Sequence, residues 1–255
     1  MVASLPRLYT DLAGWYHLLT APDEYGEDAD YFWACFVEAA GSPPQTLLEL
    51  GSGGGNMALH YKRHVTATLT DLSSEMLALS QTINPELEHI QGDMRTLRLG
   101  RTFDAVFVHD AVCYLTTEAD LKQAMETAWV HLRPGGVAVF APDCVRETFR
   151  PNTEHGGHDG PDGPNGRSLR YLMWTYDPDP SDTTYVVEFA YLLREGDGPT
   201  RCETDRHVDG IFGQDDWLRL LGEVGFAARA LSRPYPGEDG PYETLVTFVA
   251  VRPTA

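Results

Sequence analysis

Residues 46–56 have the sequence TLLELGSGGGN, and the rest of the chain is organised around them. The first five form a short apolar run typical of a buried parallel strand, with one acid, Glu49, near its carboxyl end. The glycines that follow let a ligand approach the backbone, because no Cβ stands in the way. The pattern therefore predicts a small-molecule pocket at a turn between a strand and a helix.

Strands and helices alternate on the carboxyl side of this turn. Predicted strands cover residues 65–69, 86–91, 103–108 and 137–142, and predicted helices cover residues 57–63, 73–83 and 117–132. A helix at residues 215–226 precedes two last strands, at residues 227–232 and 242–251. Alternation at this pitch predicts an α/β fold with a doubly wound, seven-stranded, mostly parallel sheet.

Two regions depart from this alternation. Residues 7–20 and 28–40 place aromatic and leucine side chains at helical spacing, which predicts two helices that cap the pocket. Residues 146–168 are rich in Gly, Pro, Asp and His and have no apolar period, which predicts a mobile loop. The alternating segments after this loop predict an antiparallel sheet.

The chain is therefore expected to contain three regions. They are an N-terminal helical cap at 1–42, a ligand-binding domain formed by 43–145 and 214–255, and an insert at 146–213 with the mobile loop and the antiparallel sheet. We expect the insert to act as a lid over the pocket. Sheet inserts in this position also serve as oligomer interfaces, so a homodimer is a further expectation.

The composition limits the kinds of partner. The 255 residues carry a net charge of -19, and no cluster of Lys or Arg reverses that field, so nucleic acid is not expected. The first twenty residues lack the apolar core of a signal peptide, and no later run approaches membrane-spanning length. We expect a cytoplasmic protein without a membrane partner. The four cysteines lie far apart, so we expect reduced thiols and no metal site.

Two nucleotide ligands would suit a glycine-rich turn of this kind. Asp71 lies about 20 residues beyond Gly51, the spacing that brings a carboxylate to a ribose diol. In NAD-binding turns a third glycine packs the helix against the strand, but Asn56 occupies that position here, and Glu49 would repel a pyrophosphate. S-adenosylmethionine offers an ammonium group for Glu49 and a carboxylate for the helix N-terminus. The residues therefore favour S-adenosylmethionine over NAD.

Motifs between residues 46 and 142 resemble those of class I S-adenosylmethionine-dependent methyltransferases. ELGSGGG is similar to the first motif of that family, TDLSSEML to the ribose-binding second and GDMRTL to the adenine-binding third. FDAVFVHDAVCYL and HLRPGG resemble the fourth and fifth motifs. The resemblance implies a Rossmann-like methyltransferase fold, methyl transfer from S-adenosyl-L-methionine and release of S-adenosyl-L-homocysteine.

The same resemblance implies which residues bind the cofactor. Those expected around its methionine end are Glu49, Gly51, Ser52, Gly53 and Asn56. Those expected around its nucleoside are Asp71 at the ribose hydroxyls, Leu72 and Met76 against adenine, Asp93 at the adenine amino group, and the flanking Gly92 and Met94. His109 is expected to line the reactive end of the pocket.

A looser similarity connects most of the chain to bacterial amino-sugar N,N-dimethyltransferases and related N-methyltransferases of natural-product pathways. In that group the residue matching Tyr114 is Tyr or His and faces the amine. An acceptor amine must arrive unprotonated, so we expect a polar residue near the sulfur, and the candidates are Tyr114, His109 and His207. Aromatic walls for the small-molecule acceptor are expected from Tyr9, Tyr16, Trp174 and Tyr176.

Several other functions compete with N-methylation of a small molecule. O-methylation would depend more steeply on a general base, and a non-catalytic cofactor-binding scaffold would keep the glycine turn but lack an acceptor pocket. Strand four is followed by His109-Asp110-Ala111-Val112, not by the Asn/Asp-Pro-Pro-aromatic tetrapeptide of enzymes that act on nucleic-acid bases. Asp110 and Asp143 are too few for a metal-dependent catechol-type site. Small-molecule N-methylation is therefore the main hypothesis, with O-methylation second.

Overall fold

The computed structural model describes residues 5–163, 166–234 and 244–254, so residues 1–4 of the predicted cap and 242–243 of the predicted last strand lie outside it. Its strands are β1 (Thr46–Leu50), β2 (Thr66–Asp71), β3 (Glu88–Gln91), β4 (Phe103–His109), β5 (Leu132–Ala141), β6 (Asn152–Gly156), β7 (Arg167–Tyr176), β8 (Thr184–Glu195), β9 (Arg201–Gly210), β10 (Ala227–Pro234) and β11 (Thr244–Val251). Its α-helices are α1 (Tyr16–Leu19), α2 (Gly26–Ala40), α3 (Asn56–Tyr61), α4 (Ser74–Ile83), α5 (Glu118–His131) and α6 (Gln214–Val224). None of the helices in the described ranges is long and apolar enough to cross a membrane.

The central sheet has seven strands in the order β10-β11-β5-β4-β1-β2-β3. Strands β1 to β5 pair in parallel, whereas β11 is antiparallel to both of its neighbours. The doubly wound, mostly parallel sheet predicted from the sequence is thereby confirmed. Because β1 lies between β2 and β4, the strand order reverses at β1, and a crevice opens beyond the carboxyl ends of β1 and β4.

The side chains of β1 alternate between the two faces of this sheet, and each face carries its own core. Leu48 and Leu50 belong to the core formed with α5 and α6. Leu47 belongs to the core formed with α2 and α3. All three are completely buried, and each contributes about 1.5–3 kcal/mol to folding. Glu49 shares the face of Leu47, so the only carboxyl group of this strand is directed toward α3.

The predicted antiparallel insert is a four-stranded sheet in the order β6-β7-β8-β9. The prediction of a mobile loop over residues 146–168 is wrong in part, because β6 forms there and pairs antiparallel with β7. An edge strand needs a partner on one side only, and β6 presents Glu154 and Gly156 to a cavity instead of to an apolar core. It therefore lacks the apolar period from which a strand is predicted. Residues 164–165 of this segment lie outside the described ranges.

The first predicted helix of the cap, at residues 7–20, is also replaced by another structure. Short 3-10 turns at Arg7–Tyr9 and Ala13–Trp15 are followed by the single turn of α1. Trp15 packs on the insert, whereas Tyr16 lies against the glycine turn. Docking on two different surfaces bends the segment, so tertiary packing outweighs its helical spacing. The second predicted helix of the cap forms as α2.

Candidate active site

A cavity of about 1250 Å³ opens at the crevice beyond β1 and β4 and extends to the cap and the insert. A pocket for one small ligand usually has roughly 300–1,000 Å³, so this volume suits a cofactor and an acceptor bound side by side. The predicted site residues that line it are Tyr9, Tyr16, Glu49, Gly51, Ser52, Gly53, Asn56, Asp71, Leu72, Gly92, Asp93, Met94, His109, Tyr114 and His207.

The glycine turn after β1 brings the backbone close to the cavity. Gly51 has a φ of 77°, and a Cβ added there would lie 2.4 Å from the Cβ of Ala111. The backbone N–H groups of Gly51 and Ser52 donate to the carbonyl oxygen of Thr70 at 2.8 and 2.9 Å, which ties the turn to β2. The buried Ser52 Oγ has no hydrogen-bond partner among the described residues. It is therefore available to a bound ligand.

Replacing Gly51 with alanine is expected to weaken binding of S-adenosylhomocysteine by about tenfold or more and to lower Tm. The added methyl group would overlap Ala111, and the left-handed backbone is strained for any residue with a Cβ. Calorimetry and a thermal melt measure the two effects. Gly222→Ala in α6 is the matched control, because nothing lies within 4 Å of a Cβ there. Wild-type affinity in Gly51→Ala would contradict a cofactor site at this turn.

Glu49 is a buried carboxyl group at the methionine end of the predicted cofactor site. Only 2% of the residue is exposed, and the Tyr61 hydroxyl donates a hydrogen bond to Oε2. Burial raises the pKa of Glu49 to about 7, although the hydrogen bond from Tyr61 and the nearby His109 oppose this increase. A buried carboxylate is stabilised by an opposite charge, so this position suits the ammonium group of a ligand.

The affinity for S-adenosylhomocysteine is expected to fall about tenfold between pH 8 and pH 6, with about fivefold of that fall between pH 7 and pH 6. The ammonium group binds the carboxylate form of Glu49, and a group with a pKa of about 7 takes up its proton over this range. Calorimetry at several pH values measures the dependence. Burial also raises the pKa of Asp71, so Glu49→Gln separates the two groups: it should bind more weakly at pH 8 and lose most of the dependence. An equally steep dependence in Glu49→Gln would contradict this role.

Asp71 ends β2 and connects the glycine turn to the start of α4. Its Oδ2 accepts from the backbone N–H of Gly53 and its Oδ1 from that of Ser73, both at 2.8 Å. Burial raises the pKa of Asp71, and these hydrogen bonds oppose the increase. Each carboxylate oxygen has a further lone pair, so Asp71 can also accept from ligand hydroxyls in the cavity.

The residues after β3 form the adenine end of the predicted site. Nη2 of Arg95 donates a hydrogen bond to Oδ2 of Asp93 at 2.6 Å, and this hydrogen bond lowers the pKa of Asp93. Leu72 and Met94 also line the cavity. Met76 was predicted to pack on adenine, but it is completely buried and is not among the described residues that line the cavity. Its position on the inner face of the N-terminal turn of α4 directs it into the core.

These groups fit S-adenosylmethionine. Glu49 would provide a buried negative charge for the ammonium group, and the unpartnered Ser52 Oγ would provide a donor for the carboxylate. Asp71 would provide acceptors for the ribose hydroxyls, and Leu72 and Met94 would provide apolar surface for the adenine ring. Gly51 and Gly53 line the cavity without a Cβ, which leaves their backbone open to a ligand.

Two predicted acceptor walls, Trp174 and Tyr176, lie outside the cavity. They are on the outer face of β7, where their ring centroids are 4.5 Å apart and Trp174 is 53% exposed. Side chains alternate along a strand, so it is the odd-numbered residues that face inward. The residues of β7 that line the cavity are Tyr171, Met173 and Thr175.

His109 and Tyr16 line the cavity near the glycine turn. His109 ends β4, with its ring stacked on Phe107 and its Nε2 3.0 Å from Oδ1 of Asp110. Burial disfavours the imidazolium, but the charge and hydrogen bond of Asp110, together with the charges of Glu49 and Asp28, outweigh it and raise the pKa of His109. The Tyr16 ring covers the turn and would lie 2.7 Å from a Cβ on Gly54. This position places Tyr16 beside the cofactor half of the cavity.

Tyr114 and His207 belong to one chain of hydrogen bonds on the acceptor side. The hydroxyls of Tyr9 and Tyr114 are 2.7 Å apart, and the Tyr114 hydroxyl is 2.8 Å from Nδ1 of His207. Nε2 of His207 is 3.2 Å from Oδ2 of Asp205, which also accepts from the backbone N–H of Leu8 at 2.8 Å. The structure thus connects the cap, the segment after β4 and the insert at this point.

The sequence-based predictions omitted Asp205, Asp209 and Tyr61. Asp205 and Asp209 could have been found from the alternation of side chains along a strand. With His207 they occupy every second position of ETDRHVDG and so share one face of β9. Tyr61 gives no comparable signal, since the short helix α3 does not reveal which of its faces meets Glu49.

Comparisons with known proteins agree with this geometry. A family described as "Methyltransferase domain" matches residues 47–136. The dTDP-3-amino-3,6-dideoxy-alpha-D-glucopyranose N,N-dimethyltransferase of Streptomyces fradiae is 33% identical over 207 residues, which cover 80% of this chain and 78% of that protein. The dTDP-3-amino-3,4,6-trideoxy-alpha-D-glucopyranose N,N-dimethyltransferase of Streptomyces venezuelae is 33% identical over 143 residues, which cover 55% of this chain and 60% of that protein.

Two solved structures share the fold. DesVI of Streptomyces venezuelae has a TM-score of 0.80 and 24% identity, and the match covers 95% of this chain and 98% of DesVI. CalS10 of Micromonospora echinaspora, an amino pentose methyltransferase solved with S-adenosylmethionine bound, has a TM-score of 0.71 and 24% identity over 95% of this chain and 97% of CalS10. This chain belongs to the class I S-adenosylmethionine-dependent methyltransferases and is related to the bacterial amino-sugar N,N-dimethyltransferases.

Proposed function

We propose that this methyltransferase acts on the amine nitrogen of a small, amino-sugar-like acceptor of a natural-product pathway. The chain of hydrogen bonds Tyr9–Tyr114–His207–Asp205 carries the proposal, because it presents two tyrosine hydroxyls to the acceptor side of the cavity. The names of the curated relatives, which are amino-sugar N,N-dimethyltransferases, also support an amine acceptor.

The directions of these hydrogen bonds can be assigned. Burial raises the pKa of Asp205, but donors from His207 and Leu8 outweigh it and lower the pKa, so Asp205 is a carboxylate and accepts from Nε2. In the neutral imidazole of His207, Nδ1 is then the acceptor nitrogen and accepts from the Tyr114 hydroxyl. The oxygen of Tyr114 accepts from Tyr9 in turn. The oxygen of Tyr9 keeps lone pairs for an N–H group of the acceptor.

Tyr9 and Tyr114 remain neutral hydroxyls in this arrangement. Burial raises the pKa of both well above the usual value, so neither acts as a tyrosinate base at neutral pH. They instead orient the acceptor nitrogen and conduct its proton along the hydrogen bonds to Nδ1 of His207, which accepts it. Tyr9 and Tyr114 are therefore the groups placed to contact the acceptor, and His207 and Asp205 position them.

S-adenosylmethionine supplies an activated methyl group on a sulfonium. The acceptor nitrogen forms a bond to the methyl carbon while the carbon–sulfur bond breaks, and the electron pair of that bond remains on sulfur. Only an unprotonated amine has the lone pair for this step, so the proton of an arriving ammonium must leave first. The protein contributes by orienting the acceptor nitrogen and by excluding water from the cavity.

A matched pair of acceptors tests this function. The methyl glycoside of 3-amino-3,6-dideoxyglucose and its 3-hydroxy counterpart are each incubated with S-adenosylmethionine, and the amino sugar is also supplied in its dTDP-linked form. Formation of S-adenosylhomocysteine and the product mass are measured. We expect methyl transfer to the amine and at least about 100-fold slower transfer to the hydroxyl compound. Equal rates would support O-methylation, and tight cofactor binding without transfer to any acceptor would support a scaffold.

We also infer that two copies pair through the outer face of the insert and that the protein works in the cytoplasm. Leu172, Trp174, Leu192 and Val208 are 44–53% exposed on that face, and exposed apolar side chains on one face of a sheet favour contact with another chain. No disulfide joins the cysteines of the described residues, as is usual in a reducing compartment. Light scattering should give a dimer for the wild type and a monomer for Trp174→Ser, and a monomeric wild type would contradict the pairing.

A further inference from the structure

Several carboxyl groups of the cavity are not assigned to the cofactor, and three of them, Asp110, Asp143 and Asp209, interact with one another through Asp143. Asp110 and Asp143, which follow β4 and β5, share a hydrogen bond, and Asp209 is near the end of β9. Burial and the neighbouring Asp110 raise the pKa of Asp143 well above its usual value. Burial raises the pKa of Asp209 to about 7. All three line the cavity, so they form an acidic wall on the acceptor side.

Asp209 lines the cavity and has a carboxyl oxygen without a hydrogen-bond partner among the described residues. The residue is 5% exposed, and the Tyr185 hydroxyl hydrogen-bonds to its carboxyl group. The oxygen without a partner is Oδ1. A buried carboxyl oxygen without a donor is costly in free energy, so the site favours a ligand that supplies one.

Positive side chains in the cavity are already paired. The described lining residues include ten carboxyl side chains and two arginines. Arg95 is 2.6 Å from Asp93, and Arg233 forms an ion pair with Asp28. The three lining histidines each lie within 4.0 Å of a carboxylate. The segments outside the described ranges contain neither Lys nor Arg. A diphosphate would therefore enter an acidic cavity whose arginines are already neutralised.

We propose that Asp209 and Asp143 bind a second, non-reacting ammonium group of the acceptor, which is a diamino or polyamino sugar without a phosphate group. This inference rests on the proposed N-methylation and narrows its substrate. The reacting amine must be neutral, and a carboxylate beside it would hold it as an ammonium, so the acidic wall serves a different nitrogen.

The spacing along β9 is compatible with two nitrogens of one acceptor. His207 and Asp209 lie two residues apart on the same face of the strand, which corresponds to roughly 7 Å. Two amines on one sugar ring or on adjoining rings span such a distance. One nitrogen can therefore reach the hydroxyls of Tyr9 and Tyr114 while the other reaches Asp209.

Calorimetry on the protein saturated with S-adenosylhomocysteine tests this inference without turnover. The probes are the methyl glycoside of 3-amino-3,6-dideoxyglucose, its 2,3-diamino and 3,6-diamino counterparts, and the dTDP-linked monoamine. We expect at least one diamine to bind about tenfold or more tighter than the monoamine glycoside, because it adds a charge-assisted hydrogen bond. The dTDP-linked monoamine should bind most weakly.

Asp209→Asn and Asp143→Asn should each remove most of the preference for the diamine while keeping the affinity for S-adenosylhomocysteine and the Tm. Asp197→Asn, on an exposed turn of the insert, should keep the preference. Equal binding of monoamine and diamines to the wild type, a preference that survives both variants, or tightest binding of the dTDP-linked compound would overturn the inference. Failure to methylate any amine would count against the proposed function alone, because these measurements concern binding.

Discussion

Replacing Asp71 with alanine is expected to weaken binding of S-adenosylhomocysteine by about 100-fold. A hydrogen bond to a charged group contributes about 1.5–3 kcal/mol, and Asp71 has acceptors for both ribose hydroxyls. The substitution also removes the acceptors of the Gly53 and Ser73 N–H groups, which hold the glycine turn and the start of α4 in place. The methionine and nucleoside ends should therefore both be affected. Calorimetry measures the affinity directly.

Asp71→Asn is the informative companion to the alanine variant. An amide keeps one acceptor oxygen and the size of the side chain but lacks the charge, so its loss of affinity should be intermediate. Asp30→Ala, on the exposed face of α2, provides a control for the loss of an acidic side chain. An affinity within threefold of the wild type in Asp71→Ala would contradict the assignment of Asp71 to the ribose.

Replacing Tyr114 with phenylalanine is expected to lower kcat by about 100-fold or more and to leave the affinity for S-adenosylhomocysteine unchanged. The hydroxyl has hydrogen bonds of 2.7 and 2.8 Å to Tyr9 and His207, so its loss interrupts the path by which the acceptor proton leaves. The cofactor half of the cavity does not depend on this hydroxyl. Steady-state rates with a methylated amine, together with calorimetry, separate the two effects.

Tyr191→Phe is the matched control for Tyr114→Phe. The Tyr191 hydroxyl is buried and has no hydrogen-bond partner among the described residues, so its removal should leave kcat unchanged and Tm equal or higher. If Tyr114→Phe retained wild-type kcat, the chain of hydrogen bonds would have no part in proton removal. A similar loss in both variants would indicate a general effect on the insert.

The strands and the cofactor half of the site were predictable because their signals are local. The apolar run ending at Leu50, the glycines after it and the spacing to Asp71 are contained in one strand–helix–strand unit. The glycine turn, the position of the carboxylate and the doubly wound, mostly parallel sheet consequently agree with the structure. The edge strand β6 and the first part of the cap were not predicted correctly, because their conformations depend on the surfaces on which they dock.

The acceptor half was less predictable because it is assembled from distant segments. Tyr9 and Asp205 are almost two hundred residues apart. Tyr9 contacts Tyr114 directly, and Asp205 is connected to Tyr114 through His207 only once the insert has folded. Trp174 and Tyr176 have the right chemistry for an acceptor wall, but the register of β7 places them on the outer face. Their neighbours Met173 and Thr175 face the cavity. A shift of one residue in a strand decides such an assignment, and composition does not reveal it.

A crystal structure with S-adenosylhomocysteine and an amino-sugar acceptor tests the central claim most directly. We expect the acceptor nitrogen on the open side of the sulfur, within hydrogen-bond reach of the Tyr9 or Tyr114 hydroxyl, and the ribose hydroxyls on Asp71. An acceptor that presents a hydroxyl oxygen to the sulfur, or an amine remote from both tyrosines, would contradict the account.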